Sequence, residues 1–178
     1  MGQRESGLRE SAMTRSDHDA SATDALRTQA PVRFPSMAWF EALVRVMRGN
    51  VARYEHLGYT DCVIQFTVTD GDAGKPWSVR LTFDTYDVTE VALANPAREA
   101  ITDFAFEAPL AVWRAVLENI AGNGGKPDLT YTLNYLSLQE PQFTVAAEDQ
   151  LRRDYFFRYN QTMQQMMNDS HHLETRFS

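Results

Sequence analysis

Large apolar side chains recur at every second position between residues 61 and 108, and at every third or fourth position after Pro109. That change of period demands a sheet followed by helices stacked on it, because each element must bury one apolar face. In residues 61–69, Cys62, Ile64, Phe66 and Val68 share one face. In residues 77–84, Trp77, Val79, Leu81 and Phe83 point inward, while Ser78, Arg80, Thr82 and Asp84 point to solvent. The intervening Asp70-Gly71-Asp72-Ala73-Gly74-Lys75-Pro76 has the composition of a hairpin loop. Residues 86–93 make a weaker third strand. Residues 100–108 make a fourth, with Phe104 and Phe106 opposite Asp103, Ala105 and Glu107. Alternation with one wet face predicts an antiparallel meander.

Helical patterns flank this meander. Ser36 is placed to cap a helix carrying Trp39, Phe40, Leu43, Val44, Met47, Val51 and Tyr54, with Gly49-Asn50 dividing it and Gly58 ending it. Pro109 suits the first turn of another, striped by Trp113, Val116, Leu117 and Ile120 and stopped at Gly122-Asn123-Gly124-Gly125. Asp128 is placed to cap a short helix with Leu129, Leu133 and Leu136, and residues 142–146 read as a fifth strand. Glu148 and Asp149 then start a last helix, to about residue 168, with Leu151, Tyr155, Phe156, Tyr159, Met163, Met166 and Met167 on its apolar side. The expected class is α+β: a five-stranded, mainly antiparallel sheet with helices packed on one face. The expected domain covers residues 35–168. Residues 1–34 read as a disordered tail, since their few apolar side chains follow no period and their charges balance; residues 169–178 read as a flexible tail.

Composition then excludes several functions. The chain of 178 residues has a net charge of −7, which opposes nucleic-acid binding by counterion release. It lacks any apolar run of ~18 residues for a transmembrane helix and an apolar h-region near its start, so the expected location is cytoplasmic. One cysteine, Cys62, makes no internal disulfide and no thiolate-rich zinc site. A Cys62–His56 dyad has no flanking motif, Asp103 and Glu107 stand on the wet face, and His171-His172 lie in a polar tail. No catalytic residue, metal or cofactor is expected, and the chain reads as a non-enzyme.

Large apolar residues are in excess after the meander. They predict either an ordinary core or a lined cavity between sheet and helices, with the end methionines as adaptable filler. Several runs carry a resemblance: Met37-Ala38-Trp39-Phe40-Glu41-Ala42-Leu43, the strand-to-helix step Phe104-Ala105-Phe106-Glu107-Ala108-Pro109, the Gly-rich turn, and Phe143-Thr144-Val145. With the order of elements, they make residues 35–168 resemble the sterol carrier protein 2 family, as a bacterial-type stand-alone member. The resemblance implies a hydrophobic tunnel that holds a fatty acyl chain, acyl-CoA, sterol or isoprenoid without transforming it. On this reading Phe104, Phe106, Trp113, Leu117, Leu133, Leu136, Phe156 and Met163 line the pocket, and Arg152 and Arg153 are candidate headgroup contacts. The last helix exceeds the family's usual closing helix. An alternative expectation is therefore an accessory subunit that dimerises or docks on a partner enzyme through that helix, using Tyr155, Tyr159, Met163 and Met167. Transient membrane contact and a homodimer both stay open.

Overall fold

The computed structural model of the protein describes residues 30–94 and 102–177. A five-stranded sheet is built from β2 (Cys62–Val68), β3 (Trp77–Asp84), β4 (Asp87–Leu93), β5 (Phe104–Ala108) and β6 (Thr144–Ala146), in the order β4-β3-β2-β5-β6. The hairpins pair as the alternation predicts, with Cys62 opposite Phe83 and Val68 opposite Trp77. The fourth expected strand departs from a simple meander. It begins at Phe104, and β5 lies on the far side of β2 and parallel to it, with Ile64 opposite Phe104 and Phe66 opposite Phe106. Its antiparallel neighbour is β6. Alternation reports which face a side chain takes and carries no information on strand direction, so a crossover is invisible to it. Positions 100 and 101 of the expected strand fall outside the described residues.

Helices α1 (Met37–Arg48), α2 (Val51–Glu55), α3 (Leu110–Gly122), α4 (Leu133–Gln139) and α5 (Gln150–Asp169) supply the second layer. Ser36 caps α1 by accepting from the Trp39 amide at 3.1 Å, and Asp149 caps α5 by accepting from the Arg152 amide at 2.8 Å. Thr132, rather than Asp128, caps α4; Leu129–Tyr131 forms a separate 3-10 turn. The layers meet on one sheet face. There Phe66 touches Phe40 of α1 and Trp113 of α3, and Phe106 touches Phe156 of α5. The opposite face is polar, with Thr67 and Ser78 hydroxyls 2.9 Å apart. No helix among the described residues is long and apolar enough to cross a membrane.

Both tail boundaries need correction. Val32–Phe34 (β1) pairs in parallel with Thr175–Phe177 (β7), and the ring of Phe34 is buried against Trp39. The Trp39 indole donates to Thr175 Oγ1 at 2.9 Å. Three-residue strands are too short to show a period, and their partners lie at opposite ends of the chain. Residues 1–29 of the expected tail lie outside the described residues. Asp169, expected to open the other tail, is fully buried instead. Its carboxylate accepts from Tyr54 Oη (2.6 Å), Arg53 (3.0 Å) and Gln165 Nε2 (2.8 Å), so α2 is tied to the end of α5.

The Gly-rich turn after α3 is held by the same end of the chain. His171 donates from Nδ1 to the Asn168 carbonyl (2.7 Å), and a Cβ on Gly125 would lie 2.5 Å from that nitrogen. Gly124 and Gly125 both have positive φ, 59° and 82°, but a Cβ on Gly124 would meet nothing within 4 Å. Alanine at either position should cost about 1 kcal/mol for left-handed backbone. Gly125→Ala should cost at least ~1 kcal/mol more for displacing the imidazole. Urea unfolding of the two variants checks this, and equal midpoints would remove His171 from the account of the turn.

Candidate functional site

The candidate site is a groove of about 450 Å³ between α3 on one side and the 129–131 turn with α4 on the other. Its walls follow from local chemistry. Pro109 precedes α3 with φ −64°, and the Leu110 amide donates to Asp70 Oδ1 at 2.6 Å, which sets the helix start. Trp113, Val116, Leu117 and Ile120 turn to the core, leaving Ala111 and Ala115, one turn apart, on the adjoining flank. Past the end of α3 the chain is turned back by Asn119. Its side chain donates to Asp128 Oδ2 (2.8 Å) and accepts from the Asp128 amide (2.9 Å). This brings Tyr131 and Tyr135 beside the two alanines. The Leu133 amide donates to Gln164 Oε1 (2.7 Å), holding α4 against α5. Space opens because two methyl-sized side chains face two large rings across the gap.

The floor includes Val116 and Leu136, both part of the buried core. Thr130, Tyr131, Gln139 and Glu140 bring polar atoms to the lining. Glu140 is the charged member of that lining, and its Oε1 accepts from the Gln142 amide at 3.0 Å.

Of the eight pocket residues expected from the sequence, Leu136 is shared with this groove. Phe104, Phe106 and Phe156 form a triangle of rings with centroids 5.4, 5.6 and 6.0 Å apart. Trp113 packs on Phe66 and Phe143, and its indole donates to the Thr67 carbonyl at 3.0 Å. Leu117, Leu133 and Met163 are buried in the same cluster. The candidate headgroup arginines stand elsewhere. Arg152 pairs with Asp103 (3.0 Å) and Glu148 (3.6 Å), pinning the start of α5 to the approach of β5. Arg153 is exposed at the solvent side of α5. Asp103 is thus an ion-pair partner that also accepts from the Val63 amide (2.8 Å), not a freely solvated charge. Alternation assigned it a face but could not supply Arg152, which is 49 positions away.

Cys62 is buried, and burial first, with the Asp103 and Asp61 charges adding, pushes its thiol well above the ordinary range. That suppresses the thiolate, so this side chain is poorly suited to nucleophilic attack. Among the described residues, no three His, Cys, Asp or Glu side chains gather where they could hold a metal ion. Ala111, Ala115, Tyr131, Tyr135, Gln139 and Glu140 were not expected as site residues from the sequence. The available signal was an alanine pair at helical spacing near two tyrosines, which is common on any helix surface.

Two solved structures share this architecture. One is sterol carrier protein 2, at 19% identity and a TM-score of 0.55, covering 75% of this chain and 94% of that one. The other is a conserved hypothetical protein from Thermus thermophilus, provisionally described as a sterol carrier protein. It has 21% identity and a TM-score of 0.57, covering 79% of this chain and 90% of that one. No family model matches the chain, and no curated protein matches it. At these identities the likeness defines a fold class: a sterol carrier protein 2-like α+β domain with a mixed sheet and helices on one face.

Proposed function

We propose that this protein binds and carries a hydrophobic small molecule, a fatty acyl chain, sterol or isoprenoid compound, without transforming it, in the groove beside α3. The observation that carries the reading is an open groove of about 450 Å³ with a mixed apolar and polar lining, within the ~300–1,000 Å³ typical of small-molecule sites, on a fold shared with sterol carrier protein 2. Fully burying ~14 methylenes at ~0.8 kcal/mol each would contribute roughly 11 kcal/mol, an upper bound for a groove open to solvent. Association and ordering losses of at least ~4 kcal/mol then set the tightest affinity of this groove at ~10 μM. Val116 and Leu136 form the floor; Phe104, Phe106, Trp113, Leu117, Leu133, Phe156 and Met163 are the packed interior behind it.

Filling the slot tests this directly. Ala115→Trp should weaken binding of a fluorescent alkyl probe with a neutral head at least tenfold, while stability shifts by only ~0.5 kcal/mol, as for other surface substitutions. Native mass spectrometry of the purified protein should show bound lipid. Wild-type protein that takes up no probe saturably, or an Ala115→Trp variant that binds it unchanged, would defeat the proposal.

A second reading, docking through α5, is favoured by the exposure of Leu151 (72%) and Phe157 (51%) on that helix. Tyr159, Met163 and Met167, expected on such a surface, are buried in the core. Leu151→Glu with Phe157→Glu should therefore abolish any association seen by solution mass; an assembly that survives both changes does not use this face.

A further inference from the structure

We infer that the groove selects an amphiphile with a neutral or cationic head and discriminates against carboxylate and phosphate heads. This deepens the carrier proposal and rests on it. The argument begins with the lining, whose apolar part (Ala111, Val112, Ala115, Val116 and Leu136) accepts any alkyl chain without preference. Selectivity therefore falls to the polar groups. Thr130, Tyr131 and Gln139 offer uncharged donors and acceptors, which suit a hydroxyl or amide.

Glu140 supplies the lining's net charge, and it is negative. Its Oε1 is oriented by the Gln142 amide, and among the described residues no Lys, Arg or His pairs with it. An anionic head seated in the slot would meet a like charge on a half-buried side chain, and partly buried charges are screened less than fully exposed ones. The arginines that would welcome such a head are absent from the lining, and Arg152 is already committed to Asp103 and Glu148. The chain's net charge of −7 adds a long-range bias of the same sign. Glu140 is thus a specificity residue rather than an anchor for the chain.

The test uses three probes of equal chain length with the full-length protein at low ionic strength: dodecyltrimethylammonium, 1-dodecanol and dodecanoate. The cation and alcohol should bind about tenfold or more tightly than the carboxylate, and raising salt should narrow the gap as screening shortens the reach of Glu140. Glu140→Gln keeps an oxygen for the Gln142 amide while removing the charge. It should bring dodecanoate within about threefold of dodecanol and weaken the cation. Dodecanoate binding as tightly as dodecanol to the wild type, or a gap unchanged by Glu140→Gln, overturns the charge selection and leaves the carrier proposal standing. If none of the three binds saturably, both fall together.

Discussion

Phe106→Ala is expected to destabilise the protein by about 4 kcal/mol and to lower its thermal midpoint by roughly 15 °C. The ring has no solvent exposure and packs at centroid distances of 5.2 to 5.8 Å against Phe66, Phe104, Phe143 and Phe156. Those partners come from β2, β5, the approach to β6, and α5. Removing the ring therefore leaves a void where the sheet meets its helices, and rigid strands cannot collapse into it. Guanidinium unfolding measures the loss. The same variant also separates the groove from the interior as the ligand's seat. With the groove as the seat, alkyl-probe affinity of the folded fraction should stay within about threefold of wild type. A far larger loss would move the ligand into the Phe104–Phe106–Phe156 region.

Asp169→Ala should cost about 3 kcal/mol. The carboxylate is wholly buried and accepts three hydrogen bonds, from Tyr54, Arg53 and Gln165. Its loss leaves the buried Tyr54 hydroxyl without its acceptor. The Arg53 side chain is 46% exposed and can return to water, which holds the cost near the lower end for a broken buried pair. Asp169→Asn, which keeps the shape, should cost roughly half as much. Burial first, then the neighbouring Asp169 charge and hydrogen bond, raise the Tyr54 phenol far above its ordinary range. The folded state therefore retains a proton that the unfolded phenol releases near ~10. Its contribution is complete below that pH and declines above it, by ~1.4 kcal/mol per unit. Tyr54→Phe should flatten this component of the alkaline decline, seen as a smaller difference between urea midpoints at pH 9 and pH 11. Equal slopes in the two proteins would refute the assignment.

Helix positions, the inward faces of the strands and the α+β class were legible because burial imposes a local period on each element. Phe66, Val79, Leu81, Phe104 and Phe106 fall on the core face that alternation assigns them. Ser36 was legible as a cap, since capping joins residues only three positions apart, and Asp149 was legible as an acidic residue at the start of the last helix. The parallel placement of β5 beside β2, the β1–β7 clasp and the Asp169 network were not. Each joins residues tens to more than a hundred positions apart, and no local pattern carries such a pairing. The groove was hidden for a related reason: large side chains drew attention to the interior, whereas the opening depends on Ala111 and Ala115 being small opposite Tyr131 and Tyr135.

By itself, the amino-acid order determined which side chains leave water, because hydrophobic burial acts through a local repeat of two or about 3.6 residues. Only the tertiary structure decided where those buried faces meet completely and where they part. Whether Leu136 ends as sealed core or as the floor of a slot depends on the size of what α3 presents to it. Complementarity of that kind is settled between elements and is written in no single one.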